Sequence, residues 1–121
     1  MSDYPVNTVT WFEIGAPDLA AAKAFYGGLF DWNFAPDGHY TLVTAPGADR
    51  PHGGIFPTGD NIPPYAVFVV RVADVAATAK QAEELGGKVV IAPMAAGDDM
   101  TVAYLTDPAG SMFALFGPQV Q

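Results

Sequence analysis

The chain of 121 residues contains no cysteine. Disulfides, thiolate nucleophiles and cysteine-ligated zinc are therefore excluded, and nothing ties the protein to an oxidising compartment. Basic residues are scarce, with five Lys plus Arg against thirteen Asp plus Glu and a formal net charge of −8. Such a surface repels phosphate backbones, which excludes nucleic acid as a partner, while solubility accounts for the charge without invoking a cationic ligand. No stretch approaches the roughly eighteen apolar residues of a membrane-spanning helix. The opening MSDYPVNTVTWFEIG has no basic segment followed by an apolar run, so the expected location is the cytoplasm, with no membrane partner.

What is present is half apolar, enough for a folded core, and the length is that of one domain. Sliding the sequence over itself gives one outstanding register, in which Asp18 falls on Asp74 and Phe12, Ile14, Leu19 and Leu29 meet Phe68, Val70, Val75 and Leu85. Each half opens with a strand. VTWFEIGA alternates across a sheet, whereas YAVFVVRV is almost continuously apolar and reads as buried on both faces. Asp18 and Asp74 sit as N-caps ahead of two helices, which Gly27-Gly28 and Gly86-Gly87 are placed to terminate. NFAPDGHYTLVTAPG reads as a hairpin around Pro36-Asp37-Gly38, and HGGIFPT as a further strand. KVVIAP, MTVAYLTDP and GSMFALFG supply three more, with Asp107 to Gly110 as a turn. The expected class is α+β: a single domain over 1–121, with one βαβββ module over about 6–58, a linker over 59–64 and a second module over about 65–118.

The Asp-Leu helix start, the AFYGGLFDW segment and the closing DPAGSMFALF, in this order and spacing, cover nearly the whole chain. Together they resemble the vicinal-oxygen-chelate superfamily of glyoxalases, bleomycin-resistance proteins and dioxygenases, in particular its short actinobacterial-type members. The resemblance implies open, curled mixed sheets around a trough, a small-molecule site in that trough, and pairing in a homodimer whose sites are completed across the interface.

Metal-dependent relatives place His or Glu at four points on trough-facing strands. Mapped here, three of those points fall on Trp11, Val67 and Ala114, none of which binds a divalent metal, and the fourth lies near Gly53-Gly54-Ile55. The only histidines are His39, read as a surface residue, and His52, the one side chain a metal could recruit. No metal and no cofactor are expected, and glyoxalase or dioxygenase chemistry is disfavoured.

Strand alternation groups Val9 and Glu13 with Trp11, Tyr65 with Val67, and Met112 and Phe116 with Ala114. Phe34 and Tyr104 are added as further candidates, and Trp32 is assigned to packing between helix and sheet. The set of Val9, Trp11, Glu13, Phe34, His52, Tyr65, Val67, Tyr104, Met112, Ala114 and Phe116 suits a planar, greasy ligand held by stacking and burial. Trp11 either stacks on that ligand or plugs a trough that has lost its function. Glu13 accepts a hydrogen bond, acts as a base, or faces solvent. Asp98-Asp99 stands in a loop where relatives often carry Gly-Arg, which counts against an anionic ligand.

Three functions compete. The first is a non-catalytic protein that sequesters a hydrophobic or aromatic natural-product antibiotic, polyketide or enediyne among the candidates, and gives self-resistance. The second is a metal-independent isomerase, cyclase or hydroxylase using Glu13 or a tyrosine. The third is a structural or regulatory dimer with an occluded trough.

Overall fold

In the computed structural model, residues 5–97 and 99–119 are described; Asp98 of the acidic loop lies outside them. They form eight strands and two helices, in the order β1 (Thr8–Ala16), α1 (Leu19–Phe30), β2 (Asn33–Asp37), β3 (Tyr40–Thr44), β4 (Gly53–Pro57), β5 (Tyr65–Arg71), α2 (Val75–Glu84), β6 (Lys88–Ala95), β7 (Met100–Thr106) and β8 (Met112–Pro118). The class is α+β with the βαβββ plan stated twice. The strand order is β2-β3-β4-β1 in the first module and β6-β7-β8-β5 in the second, with β1–β4 and β5–β8 parallel and the other pairs antiparallel. The sheets are mixed and open as expected, but uncurled. The compact units are not the sequence modules: one is Trp11–Val67, and the other combines the described residues of 1–10 and 68–121.

Both helices begin where their sequence says. The Asp18 carboxylate accepts from the Ala21 amide and the Asp74 carboxylate from the Ala77 amide, each at 3.0 Å, satisfying a first-turn donor that has no partner within the helix. Their ends differ from expectation. Gly27 and Gly28 lie inside α1, which runs on to Phe30 and stops at Asp31 in the left-handed conformation (φ 61°). Asp tolerates that conformation better than most residues, so the two glycines are not needed as a stop. In the second helix the expectation holds, with Gly86 at φ 100° and the Gly87 amide donating back to the Ala82 carbonyl.

Each helix covers one face of its own sheet. Ile14, Ala16, Val43 and Ile55 form the first core, joined by Phe12, Leu19, Ala22, Tyr26, Trp32 and Phe34. Val72, Val75, Ala79, Ala103, Leu105 and Leu115 form the second, joined by Val70, Ala82, Val89 and Phe113. The repeat register is preserved in these cores, since Ile14, Ala16, Leu19 and Tyr26 correspond to Val70, Val72, Val75 and Ala82. Strand β5 is not buried on both faces: Ala66 and Phe68 are exposed while Val67, Val69 and Arg71 are buried. Its continuous apolar run hid a period-two alternation. The first hairpin turns on Gly38 (φ 64°) and His39, with Pro36 still paired in β2 opposite Thr41.

Candidate functional site

Within residues 11–67, alternation along β1 sends Phe12, Ile14 and Ala16 toward α1 and leaves Trp11, Glu13 and Gly15 on the opposite face. The register across the sheet carries Glu13 to Gly54 and Gly54 to Leu42. Tyr40, two residues before Leu42, shares that face. The Trp11 indole Nε1–H donates to the Tyr40 hydroxyl at 2.9 Å. Gly54 makes this possible, because any Cβ there would collide with the Tyr40 ring. The Tyr65 hydroxyl donates to Glu13 Oε2 at 2.6 Å, and the Tyr65 ring lies over Gly15, another position without room for a side chain. Glu13 itself is 6% exposed, so its carboxylate is held by fixed partners rather than by bulk water.

The result is an indole and two phenol rings around a buried carboxylate. Such a face can stack on a flat ligand and offer one strong acceptor to a ligand hydroxyl or amine. A cleft of about 330 Å³ opens mainly toward α1, lined by Ile14, Ala16, Pro17, Ala22, Tyr26, Pro64 and Ala66, and it shares only Gly15 and Tyr65 with this face. Among the described residues, no three His, Asp or Glu side chains gather as a metal site.

Not all sequence candidates meet on this face. Phe34 pairs with Val43 and packs into the α1-side core, its ring against Gly27, so it belongs to the other side of the sheet. His52 is exposed and meets the edge of Phe12 at 5.7 Å between ring centroids, away from Trp11 and Glu13. Trp32 is in the core as expected, stacked on Tyr26. Val67 is buried in β5, and Val9, in the other compact unit, is 57% exposed.

The unit containing 68–119 has its own face, opposite α2. Ala103, Leu105, Phe113 and Leu115 face the helix, so Tyr104, Met112, Ala114 and Phe116 share the other side. They are joined through the register Tyr104–Ala114, Thr106–Met112 and Val102–Phe116. This places Tyr104, which the sequence left open between two faces, and it is 7% exposed. Asp99 is exposed, and its carbonyl accepts from the Gln119 amide.

Two side chains went unnoticed in the sequence. Tyr40 carried no signal beyond its place in a hairpin, since its value comes from a glycine on a neighbouring strand. Arg71 did carry one, as the only charge inside YAVFVVRV. It lies opposite Phe116 in the β5–β8 register, 9% exposed.

Comparison with known proteins agrees with this architecture. The chain is 31% identical to the anthracycline biosynthesis protein DnrV of Streptomyces peucetius, over 96% of this chain and 49% of DnrV. The chain thus spans about half the length of the curated relatives it matches. Among solved structures, the methylmalonyl-CoA epimerase of Streptomyces coelicolor aligns with a TM-score of 0.63 at 14% identity, over 96% of this chain and 97% of that one. The Mn(II)-bound glyoxalase of Novosphingobium aromaticivorans aligns with 0.62 at 21%, over 93% of this chain and 39% of that one. These structural likenesses speak for the fold alone. The sequence model of the glyoxalase/bleomycin resistance protein/dioxygenase superfamily matches residues 8–115, and the chain belongs to that superfamily.

Proposed function

We propose that this protein binds a planar, hydrophobic aromatic natural product of the anthracycline kind and sequesters it unchanged, giving self-resistance. The observation that carries the reading is the face built from Trp11, Tyr40 and Tyr65 around the buried Glu13 carboxylate. Flat π-surfaces favour offset stacking with a flat ligand, worth about 0.5–1.5 kcal/mol beyond area burial. Similarity to a protein of anthracycline biosynthesis supports the same ligand class. In this reading the ligand site uses Trp11, Glu13, Tyr40 and Tyr65.

The test is thermal unfolding and tryptophan fluorescence with an anthracycline aglycone, followed by mass analysis of the recovered compound. At 100 times its dissociation constant a ligand stabilises by about 2.7 kcal/mol, a rise of several degrees in Tm. Trp11→Ala should abolish that rise, and the compound recovered from the wild-type protein should have an unaltered mass. A chemically altered product overturns sequestration; no shift with any aromatic probe overturns the ligand class. In a sensitive bacterium, resistance should scale with the amount of protein.

We further propose a homodimer. Phe25 and Leu29 on α1 are 62% and 60% exposed, and the chain spans only about half the length of its longer relatives, as one half of a two-domain arrangement would. Light scattering checks this, with a monomer as the refuting result.

A further inference from the structure

We propose that the face of residues 68–118 opposite α2 recognises an anionic oxygen carried on an aromatic body, with Arg71 as the counter-charge. Val70 and Val72 pack toward α2, so alternation sends Val69 and Arg71 to the other face, beside their register partners Ala114 and Phe116. Arg71 is 9% exposed, whereas Lys23, Arg50, Lys80 and Lys88, the other basic residues, are all exposed. A guanidinium is a planar fork of N–H donors that matches a carboxylate-like oxygen pair.

Among the described residues, Arg71 donates one side-chain bond, from an η nitrogen to the Val72 carbonyl. Its Nε–H is buried with no partner. Burying a charge with its donors unfilled costs far more than burying a neutral group, and removing water from the site makes an arriving anion correspondingly more favourable. An arginine fork presents two parallel N–H donors to a carboxylate or similar oxygen pair. The surroundings specify the rest of the ligand. Tyr104, Phe116 and Met112 supply ring and thioether surface on the same face, and Ala114 leaves a low point between Tyr104 and Val69. On a chain with net charge −8, anions are repelled in general, so acceptance of one falls to this single buried cation. The matching ligand is an aromatic carboxylate or an acidic, ionised enol on a fused ring. Its residues belong to the compact unit that does not contain Trp11 and Glu13, and the proposal stands whether or not sequestration is correct.

Three probes separate the possibilities: 2-naphthoate, the ionised enol 2-hydroxy-1,4-naphthoquinone, and the neutral methyl ester of 2-naphthoate. Amide NMR titrations of the full chain should show at least one of the two anions binding tenfold or more tightly than the ester. The shifts should centre on Ala114 and Phe116, and the better anion identifies the oxygen type. Arg71→Met should reduce the ratio of acid to ester to near one, Arg71→Lys should retain part of it, and added salt should weaken the anion only. Without ligand, Arg71→Met should melt at or above the wild-type temperature, because an unpaired buried charge has been removed. Equal binding of acid and ester overturns the proposal. So does an Arg71→Met chain that melts lower or does not fold, which would mean that the guanidinium already has its partner inside the fold. Failure of the anthracycline titration alongside naphthoate binding at Ala114 and Phe116 would remove sequestration and leave this site.

Discussion

Replacing Gly54 by alanine tests the geometry on which the candidate site depends. A Cβ at position 54 enters the space of the Tyr40 ring, touching Cε2, Cζ and the hydroxyl oxygen. The ring must swing away, and the 2.9 Å bond from Trp11 Nε1 goes with it. Losing that bond costs about 0.5–1.5 kcal/mol, and forcing a methyl into filled space costs about 1–3 kcal/mol. Against this, alanine in a strand recovers about 0.5–1 kcal/mol of backbone entropy relative to glycine. The balance is a loss of about 0.5–4 kcal/mol, centred on about 2 kcal/mol, or about 8 °C in Tm at the roughly 4 °C per kcal/mol expected for a domain of this size. Gly28→Ala is the matched control, because nothing lies within 4 Å of a Cβ there and the residue is inside α1. It should stabilise by about 0.5–1 kcal/mol. Circular dichroism gives both melting temperatures, and the Trp11 indole N–H resonance reports the bond directly. A Gly54→Ala protein as stable as wild type, with that resonance unmoved, would refute the placement of Tyr40 over Gly54.

Other perturbations have equally definite outcomes. Tyr65→Phe removes a donor from the buried Glu13 carboxylate and should cost about 1.5–3 kcal/mol in denaturant unfolding. Glu13→Gln, which keeps an acceptor for the Tyr65 hydroxyl, should cost less, and the reverse order would show that the pair is not held by this bond. Asp18→Ala and Asp74→Ala each remove an N-cap acceptor and should each lose about 1 kcal/mol, roughly additively. If the two modules function as one domain, as we propose, thermal unfolding of the wild type follows a single transition with equal calorimetric and van't Hoff enthalpies; two resolved transitions would separate them.

The amino-acid sequence by itself determined the elements and their repetition. Asp18 and Asp74 announce helix starts because a carboxylate before an apolar periodic run meets donors that no helix can satisfy internally. The 56-residue shift between them carries the whole βαβββ plan. Helix and strand periods also sorted Trp11 and Glu13 from Phe12 and Ile14, since that sorting needs only local geometry. The superfamily, too, was legible in AFYGGLFDW and DPAG taken in order.

The tertiary structure alone decided what crosses from strand to strand. Phe34 and His52 looked available for a ligand, but the register Phe34–Val43 turns Phe34 to the α1 side, and the His52 ring meets the edge of Phe12. Gly27-Gly28 resembled a stop signal, yet the helix continued because helical packing of Tyr26 and its neighbours outweighs the intrinsic cost of glycine. Tyr40 gained its role from an absent side chain on β4, and Arg71 from burial in a strand whose apolar run concealed an alternation. Register and burial are properties of pairs distant in the chain. A local pattern fixes which way a side chain alternates, whereas the partner that faces it is set only when the strands meet.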